Sequence, residues 1–427
     1  MKLTRRACLL GGAGLLGTGT VHLLHQAHSI PTSVMASVPG RRSFDQGNEL
    51  LVVVFLRGGC DGLNLVAPVD DPDYVAARPT HLRIQGRGPE AGLPLANAPE
   101  DLDFRLHSAA PELKDLYDEK ALAIVHACGL TNGTRSHFEA QALMELGTAT
   151  DKGLSTGWLT RMLIPPAASG LIPAVAISSS LPISLLGSPD AVSMADLEEF
   201  IYAGEVEHLA VLNQLYQGST VVHTAGMRML ESLQAIASTT QQEALLEDLH
   251  RVESYSDDYG FELGRGLRAI ATLARLDVGL KVATLDYGDW DTHADQAWQF
   301  EELVTGLSRS LSAFYEDMRR DRSRVTILVM TEFGRRLRAN QSEGTDHGFG
   351  SVMLTLGDRV NGGRIYGQWP GLATEQLDRG TDLAITTDFR RVLAEYLSTH
   401  AWLSEIEAVF PNLPANEPLG IFNDDVP

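Results

Sequence analysis

Lys281-Val-Ala-Thr-Leu-Asp286-Tyr-Gly-Asp289-Trp-Asp291-Thr-His293 begins as an apolar run and ends in acids and a histidine. The next apolar run, Val325-Thr-Ile-Leu-Val-Met330, leads in the same way into Thr331-Glu332-Phe-Gly, with Gly344-Thr-Asp346-His347-Gly348 following. Between the two runs, Ala294 to Met318 reads as a helix. Strand, helix and strand at this spacing is the rhythm of a parallel sheet. In an open sheet of that kind, ligands bind in the crevice outside the carboxyl ends of the strands, where loops from different strands converge. Carboxylates and imidazoles brought together there suit a divalent cation.

Outward from this unit, Leu50-Leu-Val-Val-Val-Phe-Leu56 is a continuous apolar run closed by Arg57-Gly58-Gly59, the sign of a central strand buried on both faces. His107 to Glu119 reads as a helix, Ala121 to Val125 as the next strand and Pro173 to Ile177 as another. Met194 to Leu276 is helical by pattern, with Gly218, Gly260, Gly264 and Gly266 as its breakers. That stretch, about residues 194–276, is expected as a helical insert that packs on one face or caps the sheet. The expected fold is a three-layer α/β/α sandwich with a mostly parallel central sheet, over residues 48–415, followed by a tail at 416–427.

The chain has 427 residues, 44% of them hydrophobic, enough for one large α/β domain or two closely associated halves. Its net charge of −21 repels nucleic acid and anionic membrane alike. The amino terminus reads as an address. Thr4-Arg5-Arg6-Ala-Cys-Leu9-Leu10 places paired arginines before a Gly- and Leu-rich stretch, and small residues around Val34-Met35-Ala36-Ser37 offer a cleavage point. Residues 1–36 are therefore expected to be a twin-arginine export signal, with an ordinary secretory signal or a membrane anchor as the alternative, and 37–47 as linker. The apolar stretch is too short for a stable membrane span. Gly12-Ala-Gly14-Leu-Leu-Gly17 matches a dinucleotide fingerprint but follows no strand, so that reading fails. Beyond the leader only Cys60 and Cys128 remain, either one bridge or two separate thiols.

A second chemical candidate is Thr134-Arg135-Ser136-His137-Phe138-Glu139, between a strand and an apolar-periodic helix. A helix amino terminus offers free N–H groups to an anion. Ser136 is a nucleophile candidate and Arg135 an oxyanion clamp, although Ser136 with Glu139 three residues on also spells a capping box. Thr131 and Thr134 are substitutes. Asp289 with His293, and Asp346 with His347, are metal-ligand candidates. Glu332 is either a ligand or the partner of Arg335 or Arg336. Asp61, after the first strand, is either a ligand or part of an Asp-Gly turn.

Several blocks, in order, resemble a known family. They are Arg57-Gly-Gly-Cys-Asp61-Gly-Leu-Asn64, Arg135-Ser-His137-Phe-Glu-Ala-Gln141, Gly157-Trp158-Leu-Thr-Arg161, Asp291-Thr-His293, Thr331-Glu-Phe-Gly-Arg335, Gly344-Thr-Asp-His-Gly348 and Asn361-Gly-Gly-Arg-Ile-Tyr-Gly367. The chain resembles, over roughly Leu50 to Leu397, a domain-of-unknown-function family of exported bacterial proteins with twin-arginine leaders, grouped with the alkaline phosphatase and sulfatase superfamily. The resemblance implies an alkaline phosphatase-like fold and a hydrolase of phosphate or sulfate esters in the periplasm or cell envelope. By that resemblance Asp61, Asp289, His293, Glu332, Asp346 and His347 hold one or two divalent ions (zinc, manganese, calcium or magnesium). Ser136 and Arg135 are the implied catalytic pair, with Arg57, Asn64 and His137 at a small-molecule or glycan ester. The chain departs from the superfamily's pattern after His347, where the next histidine, His400, falls in a stretch that reads as helical and does not fill the final position, and Glu332 stands at the strand end. Neither cysteine begins the Cys-x-Pro/Ala-x-Arg pattern of sulfatases. The competing expectation is a non-catalytic envelope protein binding a glycan or protein partner.

Overall fold

The computed structural model describes residues 49–150, 153–163, 170–197, 206–238, 255, 260–276, 278–400, 403, 405–415 and 417–423. In chain order the strands are β1 (Leu50–Leu56), β2 (Val66–Pro68), β3 (Leu93–Pro94), β4 (Phe104–Leu106), β5 (Leu122–Gly129), β6 (Ala174–Ile177), β7 (Ala191–Ser193), β8 (Val282–Tyr287), β9 (Val325–Thr331), β10 (Arg335–Ala339), β11 (Thr345–His347), β12 (Ser351–Leu356), β13 (Arg364–Tyr366) and β14 (Thr387–Asp388). Among the described residues, one nine-stranded sheet runs β13-β5-β12-β9-β1-β8-β6-β7, with β14 beside β5. Every pairing in it is parallel except those of β12, which is antiparallel to both β5 and β9. The fold is therefore α/β around a mostly parallel mixed sheet.

β1 shows why the sheet is central. All seven of its residues are buried, and successive side chains of a strand point to opposite faces. Leu50, Val52, Val54 and Leu56 join one core, whereas Leu51, Val53 and Phe55 join another. The first core is closed by the helices Pro111–Asp118, Phe261–Arg275 and Gln296–Asp317. The second is closed by His137–Glu145, Trp158–Leu163 and Phe389–Thr399. An element apolar on both faces needs cover on both sides, and here it has it.

The strands read at 50–56, 121–125, 173–177, 281–285 and 325–330 stand as β1, β5, β6, β8 and β9. Of the stretch read as an insert, the helices Val206–Leu215 and Val221–Ser238 are described, and Phe261–Arg275 lies against the sheet. Gly264 and Gly266, taken as breakers, sit inside that helix. A Cβ on Gly266 would come 2.8 Å from Leu285 Cδ1, so the glycine permits close packing. The export signal and linker lie outside the described residues. No helix among the described residues is long and apolar enough to cross a membrane. Cys60 and Cys128 are two buried free thiols.

Candidate metal centre

Because β1, β5, β8 and β9 are mutually parallel in direction, their carboxyl ends share one edge of the sheet. Three segments bring imidazoles to that edge. Ser136 occupies the position just before the helix that follows β5, which places His137 at the first helical position. The loop after β8 carries Asp291 and His293. The β10–β11 hairpin folds the chain back so that His347 pairs with Arg335, which explains how a histidine well beyond the end of β9 returns to it. Gly58 lets the loop after β1 approach the second of these segments: its φ is +121°, and a Cβ there would lie 2.4 Å from Asp291 N.

His347 Nε2 is the meeting point. It lies 3.0 Å from His137 Nε2, 2.9 Å from His293 Nε2 and 3.1 Å from Asp291 Oδ1. The opposite ring nitrogens fix the tautomers. His137 Nδ1 is 2.8 Å from Glu332 Oε1, and His347 Nδ1 is 3.0 Å from the Arg135 carbonyl oxygen. A carboxylate and a carbonyl can only accept, so both Nδ1 atoms donate. In the neutral rings, both Nε2 atoms then turn lone pairs toward each other and toward a carboxylate. Such an arrangement is repulsive until positive charge enters it. Histidines that bind a metal through one nitrogen while giving the other N–H to a carboxylate or backbone carbonyl have this geometry. Among the described residues, His137, Asp291 and His347 form a group with ligand-like spacing. His293 adds a third imidazole, with Asp346 Oδ1 3.7 Å behind its Nδ1.

The electrostatics agree. The hydrogen bond to Glu332 raises the proton affinity of His137 against the opposing effect of burial, and Asp291 adds to it. Burial alone would raise the Glu332 carboxyl. Donation from His137, its own backbone N–H, Gln141 and the Gly58 N–H outweighs that and holds it below the ordinary range. Asp291 is likewise pushed up by burial, yet ends depressed because Arg335 lies against it and His347 and His293 face it. Burial lowers His347 and outweighs the hydrogen bonds to Asp291 and the Arg135 carbonyl, which raise it. Two carboxylates kept ionised beside three imidazoles make a spot that attracts positive charge, whether a proton on His137 or a metal ion.

Of the residues expected as ligands, the structure brings His293 and His347 to the cluster and sets the others apart. Asp61 is wholly buried and engaged elsewhere: Arg78 donates to its oxygens at 2.6 and 2.8 Å, and Gln296 Nε2 at 2.7 Å. Asp289 is exposed in a left-handed turn (φ 69°) that points the chain outward before Asp291. Glu332 stands behind His137 and pairs with neither Arg335 nor Arg336. Arg335 instead reaches Asp291 and the carbonyls of Gly59 (2.8 Å), Thr345 (2.9 Å) and Trp290 (3.1 Å), tying the loops together. Asp346 lies 3.2 Å from Asn340 Nδ2, behind His293.

The catalytic and substrate expectations are rearranged too. His137, expected at the substrate, is at the heart of the cluster. Ser136 is exposed and makes no capping hydrogen bond, so the expected capping box does not form; Glu139 accepts instead from Thr134 Oγ1 at 2.8 Å. The Arg135 guanidinium pairs with the buried Asp382. Arg57 is held between Glu145 and Asp286, and Asn64 is buried in the short helix Gly62–Leu65. Sequence reasoning passed over Asp291, Gln141 and Arg335 as site residues. Asp291 carried a signal, since Asp-Thr-His sets an acid and an imidazole two residues apart.

No curated protein matches the chain. Residues 188–407, which carry Asp291, His293, Glu332 and His347, match the model of a family described as protein of unknown function (DUF1501), and the chain belongs to that family.

Proposed function

We propose that this chain is a metal-assisted hydrolase of phosphate or sulfate esters on an alkaline phosphatase-like sheet. The observation that carries the reading is the convergence of three Nε2 atoms on the Asp291 carboxylate, those of His293 and His347 each 3.1 Å from Oδ1 and that of His137 3.5 Å from Oδ2, with the Nδ1 atoms of His137 and His347 already committed to acceptors. A donor set of three imidazoles and one carboxylate suits zinc better than calcium or magnesium, which prefer oxygen. A divalent ion held there supplies positive charge against an ester oxygen. His137, His293, His347 and Asp291 would hold it. Glu332 and the Arg135 carbonyl keep the two imidazoles turned inward, and Arg335 holds Asp291 in place. Ser136, exposed and one residue before His137, offers the attacking hydroxyl. Arg135 acts in this scheme through its carbonyl, because its guanidinium is engaged by Asp382. Export by the twin-arginine machinery to the periplasm, with metal loaded onto the folded chain beforehand, belongs to the same proposal.

The engagement of Arg135 by Asp382 and of Asp61 by Arg78 favours a second reading, a non-catalytic envelope protein that keeps a structural metal. Elemental analysis of protein prepared without chelators, beside Asp291→Ala/His347→Ala, tests the metal. About one equivalent, lost in the variant, is expected. Turnover of aryl phosphates or sulfates that Ser136→Ala abolishes supports the hydrolase. A metal-loaded protein inert toward both ester classes leaves the binding role, and a metal-free protein after reconstitution overturns the proposal.

A further inference from the structure

Beside the cluster opens a cleft of about 420 Å³, between the helix His137–Glu145 and the segment around Ser178 to Ile183. It shares a wall with the metal centre. Gln141 lines the cleft and donates to Glu332 at 2.9 Å, one helical turn from His137. The histidines themselves do not line the cleft; what joins the two places is the helix that carries His137 at its start and presents Phe138 and Gln141 to the cleft.

The lining selects the occupant. The lining cation, Arg57, is already flanked by Glu145 and by Asp286 at 2.9 Å, and its guanidinium stacks 4.0 Å over Phe55. An anionic occupant would meet two carboxylates, and a cationic one would have to displace an arginine. The volume suits a group the size of a small ligand. Its walls mix the hydroxyls of Ser178, Ser180 and Thr284, the Gln141 amide and the half-exposed Asp286 carboxylate with apolar side chains such as Leu181, Pro182 and Ile183, so a purely apolar occupant would strand polar groups and a purely polar one would leave the apolar wall uncovered. At the rim Phe138 is 88% exposed, an aromatic face with little protein covering it. An uncharged, hydroxyl-rich body with one C–H face to lay on an aromatic ring satisfies all of these at once.

We infer that the cleft between the helix His137–Glu145 and the Ser178–Ile183 segment binds a neutral saccharide unit, with Phe138 as its stacking platform. Resting on the hydrolase reading, this makes the substrate a phosphate or sulfate ester of a sugar. The test is a glycan array of neutral, sulfated and phosphorylated mono- to tetrasaccharides, probed with the labelled full chain. Phe138→Ala removes the platform and Ser180→Trp fills the cleft; both positions are exposed, so neither change burdens the fold. Binding by the wild type that falls about tenfold in each variant is expected. A silent array, or signal unchanged in both variants, overturns the inference. Aryl ester turnover beside a silent array rejects the saccharide cleft alone. Glycan signal kept by Asp291→Ala/His347→Ala, with no turnover by the wild type, rejects hydrolysis alone.

Discussion

His137 and His347 face each other through Nε2 atoms 3.0 Å apart, though 210 residues separate them in the chain. Holding two lone-pair donors that close costs free energy unless a proton or a metal ion sits with them, so the proposed metal would be linked to the fold. Removing metal with a chelator should lower the thermal midpoint, and zinc should restore it. Free zinc at one hundred times the dissociation constant contributes about 2.7 kcal/mol. Differential scanning fluorimetry reads the shift. Asp291→Ala/His347→Ala should show none, and an equal response of wild type and variant would place the ion elsewhere.

Asp61 and Arg78 form a wholly buried pair, bidentate and further tied by Gln296 to Asp61 and by Arg78 Nε to the Leu337 carbonyl at 2.9 Å. Breaking such a pair from one side leaves a charge without its partner, at a cost of about 3–5 kcal/mol. Asp61→Ala should therefore lower the urea midpoint sharply while the protein that still folds keeps its metal. Metal loss without loss of stability would return Asp61 to the ligand set.

His126, in β5, is buried against Phe104 and Trp369 as a fixed neutral tautomer. Its Nε2 donates to the Val66 carbonyl at 2.8 Å, and its Nδ1 accepts the Ala127 N–H at 2.9 Å, leaving no place for a second proton. Burial lowers its pKa from 6.5 to about 4. Between those values the unfolded chain binds a proton that the folded chain refuses, so stability falls as pH drops through that window and is constant above it. About 2 kcal/mol should be gone by pH 5 on this account. Urea titrations at pH 7.5 and 5 should show the loss, and His126→Gln should flatten it by one proton's share.

The same residues show what a sequence can disclose. The apolar run 50–56 needed cover on both faces whatever lay around it, so the central strand was legible. Ser351–Leu356 is as fully buried, but periodicity carries no direction, and nothing in it announced an antiparallel strand between β5 and β9. At the site, the loop after β8 brings His293 to the sheet edge, and His347 reaches the same edge through the β10–β11 hairpin. Asp289 and Asp291 differ only in a left-handed turn, which the composition of Asp-Trp-Asp does not encode. Asp61 was misplaced for a different reason: its partner Arg78 lies 17 residues on and shares no pattern with it. Long-range pairing of charges is decided by packing.

Glu332 offers the sharpest separation of support from ligation. Its Oε1 accepts from His137 Nδ1 at 2.8 Å, Gln141 Nε2 at 2.9 Å and the Gly58 N–H at 2.9 Å, so that oxygen faces inward to the protein. Glu332→Gln keeps the volume but removes the charge that makes the His137 imidazole basic. Metal affinity should fall about 10–100-fold, the usual cost of losing a carboxylate behind a ligating histidine. Stoichiometry should stay unchanged once metal is in excess. A competition titration against a chromophoric chelator reads both quantities. Complete loss of binding would make Glu332 itself a ligand, and unchanged affinity would show that His137 takes its orientation from the helix alone.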